Sequence, residues 1–139
     1  MARNRRGKFQ RGNIDGVEEA VRNLRAIGED VLFAAELALA EGAERIVNDA
    51  KSRCPVRTGK LRNSIRAVDI ADGAAYQISA DARNDVGIPY GQFVEFSPKI
   101  NKPFLYPAID VNIKFIKNEI KFAIQDAISE RRGYGHRAA

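Results

Sequence analysis

Soft-ligand and disulfide chemistry is nearly missing from this sequence, which has one cysteine, one histidine and no tryptophan in 139 residues. A single cysteine excludes an internal disulfide, which fits a reducing interior or a particle assembled in one. One histidine and one cysteine supply too few soft ligands for a zinc site, so no metal is expected. No apolar run approaches the roughly 18 residues of a membrane-spanning helix, so no membrane partner is expected. The basic N-terminus is not followed by an apolar stretch and does not read as a secretory signal. Apolar residues are plentiful at 45%, enough to exclude a globally disordered chain, and the length suits one domain.

The distribution of charge says more than its total. The chain holds 23 Lys+Arg against 18 Asp+Glu, a net +5. Arg3, Arg5, Arg6, Lys8 and Arg11 crowd the first eleven residues without an acid, and Arg131, Arg132 and Arg137 do the same at the C-terminus. The ends therefore hold +8, and residues 12–130 are left with 15 bases against 18 acids, or −3. That body is itself polarised: residues 15–49 have nine acids and three bases, and residues 50–68 have six bases and no acid. The expected organisation is a flexible basic arm (1–14), one domain (15–130) and a basic tail (131–139).

Periodicity places the elements. Val17, Val21 and Leu24 repeat at helical spacing after Asp15, an N-cap residue with Glu18 at the capping-box position. Gly28 should break that helix. A longer stripe follows, through Val31, Leu32, Ala35, Leu39, Ala43, Ile46 and Ala50, and should stop before Pro55. The period then changes. Ser64 to Ile70 and Ala75 to Ala80 alternate around Asp72-Gly73, which predicts a β-hairpin. Gln92 to Phe96 fits either a strand or one helical turn. Pro98, Pro103 and Pro107 punctuate a loop, and from Ala108 a last helix should run to about Glu130. Its apolar face comprises Ile109, Ile113, Ile116, Ile120, Ala123, Ile124 and Ala127, widened by Phe115 and Phe122. The fold class is α+β: two N-terminal helices (the second long), a small antiparallel sheet built on the hairpin, and a long C-terminal helix packed on that sheet.

Catalytic constellations are absent. His136 sits in a basic, glycine-flanked tail, and Cys54 has no histidine partner on an ordered element and reads as a small packing residue. Thr58-Gly59-Lys60 lacks the glycine spacing and the Ser or Thr of a phosphate-binding loop, because Leu61 follows the lysine. The acids lie along solvent faces of helices. No enzyme activity and no cofactor is expected. The run Lys51, Arg53, Arg57, Lys60, Arg62, Arg66 reads equally as a solvated loop behind a helix C-terminus or as an electrostatic docking surface.

Three segments are familiar. Cys54-Pro55-Val56-Arg57-Thr58-Gly59-Lys60-Leu61-Arg62-Asn63-Ser64-Ile65 resembles the Ala-Pro-Val-x-Thr-Gly-x-Leu-x-x-Ser-Ile segment of a family of long-tailed bacteriophage proteins. These are the tail-completion or neck proteins, the gene-product-ten-like tail components, related in kind to minor tail protein Z. Tyr90-Gly91-Gln92-Phe93-Val94-Glu95-Phe96 resembles the family's Tyr-Ala-x-x-Val-Glu-Phe-Gly, with Ser97 in place of the last glycine. Pro103-Phe104-Leu105-Tyr106-Pro107-Ala108-Ile109 resembles its Pro-Phe-Leu-x-Pro-Ala-Leu.

Each motif residue also has a physical job. Pro55 ends a helix, Thr58-Gly59 permits a tight turn, and Leu61 and Ile65 anchor the chain as the hairpin starts. Tyr90, Phe93 and Phe96 should be buried aromatics, Glu95 should pair with Arg57 or Arg62, and Pro107 suits the first turn of a helix. The resemblance implies a structural virion protein at the head–tail interface, assembled in the host cytoplasm. It would be a subunit of a connector, neck or tail-completion ring that contacts copies of itself, other connector and tail-terminator proteins and, non-specifically, packaged DNA. Contacts to a neighbour or to DNA are expected from Arg3, Arg5, Arg6, Lys8 and Arg11 in the arm and from Arg53, Arg57, Lys60, Arg62 and Arg66. The alternative is a small basic nucleic-acid-binding protein acting through its tails and the 50–68 patch.

Overall fold

The computed structural model describes the backbone of residues 28–137 and the side chains of residues 28–130. The expected arm and the expected first helix, up to residue 27, lie outside the described residues. Helix α1 spans Glu29–Arg53 and follows Gly28, where a break was predicted. Its buried stripe is Val31, Ala35, Leu39, Gly42, Ala43, Ile46, Val47 and Ala50, the core-facing side of an amphipathic helix. Glu29 and Asp30 in the first turn and Lys51 and Arg53 in the last both oppose the helix dipole.

Cys54 ends α1 in extended conformation ahead of Pro55. Gly59 turns the chain at φ 81°, and the Lys60 N–H donates to Thr58 Oγ1 (3.3 Å). A short helix α2, Lys60–Ser64, then precedes the sheet. Five residues carry too little periodicity to be read beforehand. Strands β1 (Ile65–Asp69) and β2 (Tyr76–Ala80) pair antiparallel, Ile65 opposite Ala80 and Asp69 opposite Tyr76, in a two-stranded sheet. The Ala74 N–H donates to the Ala71 carbonyl across Asp72 (φ 48°) and Gly73 (φ 89°). Positive φ at both central residues is the type I′ turn that Asp-Gly favours.

Helix α3 is Gly91–Phe96, resolving the strand-or-helix ambiguity there. Helix α4 begins at Leu105 and runs to Arg137, past Glu130 and through both Gly133 and Gly135. The expected stop near Glu130 is thus corrected. A helical glycine costs only about 1 kcal/mol, which a continuing helix tolerates. The main partner of α4 is α1, running alongside it, while the sheet packs on α1 and meets α4 at its start.

Among the described residues the core has two lobes. The larger joins Ile46, Ala50, Cys54, Leu61, Ile65, Ile78, Ala80, Phe104, Leu105 and Ile116. The smaller packs Val31 and Ala35 of α1 against Ile124, Ala127 and Ile128 of α4, and Ile120 touches both lobes. Several apolar residues expected inside are not. Phe115 and Phe122 stand exposed instead of widening the buried face, and Phe93 (66% exposed) and Phe96 are largely in solvent. The two-helix contact is satisfied by the narrower stripe, and exposure of apolar residues beyond it is ordinary.

Candidate assembly surface

The three familiar segments converge. Cys54, Leu61 and Ile65 from the first, Tyr90 and Val94 from the second, and Phe104, Leu105, Tyr106, Ala108 and Ile109 from the third share the larger core lobe. The Ser64 hydroxyl donates to the Leu61 carbonyl (2.6 Å), closing α2. Pro55 is half-buried, and Pro103 is exposed just before α4.

Glu95 ties these segments together, though not by the ion pair expected of it. It is only 5% exposed. Its Oε2 accepts from the backbone N–H of Phe104 (2.7 Å) and Leu105 (3.0 Å), and its Oε1 from that of Tyr106 (2.8 Å). The next residue, Pro107, has no N–H. One carboxylate thus satisfies the free donors that open α4 and places a negative charge at the positive end of the helix dipole. No ion pair joins Glu95 to Arg57 or Arg62; the helix terminus supplies better directed donors than two exposed, flexible side chains. Beside this junction Phe96 and Tyr106 lie with ring centroids 5.7 Å apart. Burial, and then the Glu95 charge, push the Tyr106 hydroxyl pKa up.

Farther along, Asn112 bridges the two long helices. It is buried, its amide donates to Asp49 Oδ2 (2.6 Å) and to the Ala108 carbonyl (2.7 Å), and its oxygen accepts from Arg45 Nε (2.9 Å). The Arg45 guanidinium also covers the Phe115 ring at 4.0 Å, which gives that half-exposed aromatic its partner. Partial burial works to raise the Asp49 pKa. Hydrogen bonds from Arg53 and Asn112 and the charges of Arg53 and Arg45 outweigh it, and the carboxyl is held below its usual value. A depressed carboxylate stabilises the fold above its unfolded pKa, and the effect is lost as pH falls through the folded value. Asp49→Asn should therefore cost about 1 kcal/mol or less at neutral pH, in urea titrations, and nothing in strong acid. Equal losses at both pH values would contradict this.

The basic run divides in two. Arg66 makes a bidentate pair with Asp81 (2.6 and 3.1 Å), and Arg53 pairs with Asp49 (2.9 Å). Both were expected to reach a neighbour, and both already have acids within the chain. Arg57, Lys60 and Arg62 are exposed and have no ion pair among the described residues. Val56, next to Arg57 in the chain, is exposed, as is Phe93 of α3, the helix whose Gly91 lies against Leu61 of α2. Cys54 is 5% exposed, its thiol pKa raised by burial and by Glu95 although Arg62 pulls it down. That is an inert packing thiol.

Among the described residues no cluster of His, Cys, Asp and Glu could hold a metal ion, and no helix is long and apolar enough to cross a membrane.

A family model described as "Bacteriophage HK97-gp10, putative tail-component" matches residues 18–96, more than half of the chain. The chain belongs to this family. Membership makes it a bacteriophage tail component, assembled with other virion proteins, and suggests a structural and non-enzymatic role. No curated protein and no solved structure matches the chain. The matched span ends at Phe96, one residue after Glu95, while all three hydrogen bonds of Glu95 go to residues beyond it. The family region therefore closes its fold on the first turn of α4.

Proposed function

We propose that the chain is a subunit of the ring that joins a long bacteriophage tail to the DNA-filled head, in the neck or at the tail-completion position. Its work is assembly, through contacts with its own copies and with connector and tail-terminator proteins. The observation that carries this reading, given family membership, is the charge polarity along the body. Glu29, Asp30, Glu36, Glu41, Glu44 and Asp49 of α1 face only Arg45 in the same stretch, and the bases follow where α1 ends. Opposite charge at the two ends of one protomer favours head-to-tail contacts between identical copies, which close into rings when the rotation allows. Such contacts weaken in salt.

Negative-stain microscopy of the purified protein, with DNA titrations followed by fluorescence anisotropy at two salt concentrations, tests the reading. Rings with no duplex binding at moderate salt are the expected result. Tight, steeply salt-dependent DNA binding by a monomer would instead favour the nucleic-acid reading.

The basic residues Arg3, Arg5, Arg6, Lys8 and Arg11 are proposed to contact a neighbouring subunit or packaged DNA. Deleting residues 1–12 should leave the thermal melt unchanged while particle infectivity drops. Normal infectivity from that truncation would remove the arm from the mechanism.

A further inference from the structure

A second surface lies at the other end of the molecule. Between the N-terminal half of α1 and the C-terminal half of α4 runs a groove of about 750 Å³. Phe33, Leu37 and Phe122 line it and are 66%, 51% and 64% exposed, three large apolar side chains in one hollow. Its charged lining among the described residues is acidic: Glu41 and Glu119 toward the middle of the helices, Asp126 and Glu130 farther along α4, with Asp30 at the start of α1. Among the described residues no lysine or arginine lines it. An apolar floor within a one-sign rim is the make-up of a protein-docking groove, and the acids select a basic partner.

The same chain carries a matching shape. The loop and short helix after α1 expose Val56 with Arg57, Lys60 and Arg62, and α3, whose Gly91 lies against Leu61 of that short helix, exposes Phe93. At 1.5 Å per helical residue, Arg53 lies roughly 24 Å along α1 from Leu37. The basic end of one protomer therefore does not reach its own groove, and the two surfaces meet only between copies.

We propose that the acidic groove between α1 and α4 receives the basic 56–62 end of the next copy, making the head-to-tail contact of the ring. Val56 and Phe93 would cover Phe33, Leu37 and Phe122, while Arg57, Lys60 and Arg62 would meet Glu41, Glu119, Asp126 and Glu130. The inference rests on the ring reading and specifies its interface. In a head-to-tail ring each protomer gives its groove to one neighbour and its basic end to the other, whereas a two-fold dimer would make both contacts with a single partner, so closed oligomers larger than a dimer distinguish the two.

Complementary charge reversal tests it. A groove variant, Glu119→Lys with Asp126→Lys, and a loop variant, Arg57→Glu with Lys60→Glu, change only exposed side chains, and circular dichroism should show both folded. Native mass spectrometry reads assembly. Wild type should form closed oligomers. Each variant alone sets like charges across every contact and should weaken association at least about tenfold. Mixed in equal amounts, the variants restore opposite charge at both kinds of contact, and oligomers should reappear with equal numbers of each.

A groove variant that assembles as wild type does would overturn the interface and point to another occupant, such as residues 1–27 of the same chain or a different virion protein. A mixture that stays dissociated would overturn it too. Wild type that stays monomeric at every concentration and salt would fail the ring reading itself, an outcome distinct from the other two.

Discussion

Glu95→Ala is expected to lower the stability of the folded chain by about 3–5 kcal/mol, a fall of roughly 10–20 °C in melting temperature. The carboxylate is buried and accepts from the N–H groups of Phe104, Leu105 and Tyr106. Truncation removes that acceptor and the favourable charge at the helix N-terminus together. It leaves the Phe104 and Leu105 donors in a site where water has no ready access, since both residues are buried. Glu95→Gln separates the contributions. The amide keeps one acceptor oxygen but aims an NH₂ group at backbone donors, so it should lose most of what alanine loses. A glutamine variant as stable as wild type would show that shape, and not the paired oxygens, makes the contact. Glu95→Asp, one methylene short, should fall between wild type and alanine.

The second large effect concerns the crossing of the two long helices. A Cβ at Gly42 would lie 2.7 Å from Ile116 Cγ2 and 3.0 Å from its Cγ1, and Ile116 is 1% exposed. The branched side chain cannot swing away cheaply, because its χ1 is fixed within α4. Gly42→Val should cost about 2–3 kcal/mol by overpacking, even though valine is the better helix former. Ile116→Ala alone removes buried volume and should cost about 2–5 kcal/mol. The double variant should be more stable than the sum of the two losses predicts, because the new methyls occupy the space that was emptied. Strict additivity in denaturant titrations would mean that the helices are not in contact through this pair.

Much of this architecture was legible in the residues because it is written in period. The stripe from Val31 to Ala50 defined α1, and the alternation around Asp72-Gly73 defined the hairpin. Aromatic positions were read less well. Phe93, Phe96, Phe115 and Phe122 fit apolar patterns yet are exposed, because two helices facing each other bury only a stripe and the pattern does not state its width.

The role of Glu95 was hidden for a different reason. Its partners are backbone groups nine to eleven residues downstream, and a backbone N–H has no sequence signature. A signal did exist. A glutamate precedes a proline-punctuated helix start, and Pro107 marks the helix whose free donors need an acceptor. The basic run likewise read as six equivalent charges until geometry paired Arg53 with Asp49 and Arg66 with Asp81. The Arg66–Asp81 pair depends on tertiary placement, whereas Arg53–Asp49 is an i,i+4 pair that helical spacing allows; exposed Arg57, Lys60 and Arg62, with half-buried Lys51, are left without an ion pair among the described residues.

The position of the protein on an assembled phage particle tests its proposed work most directly. With the chain tagged at its C-terminus and marked by gold in negative-stain images, label should gather at the junction of head and tail, in a ring around the axis. Label confined to the distal tail tip, or missing from particles that remain fully infectious, would contradict a joining role.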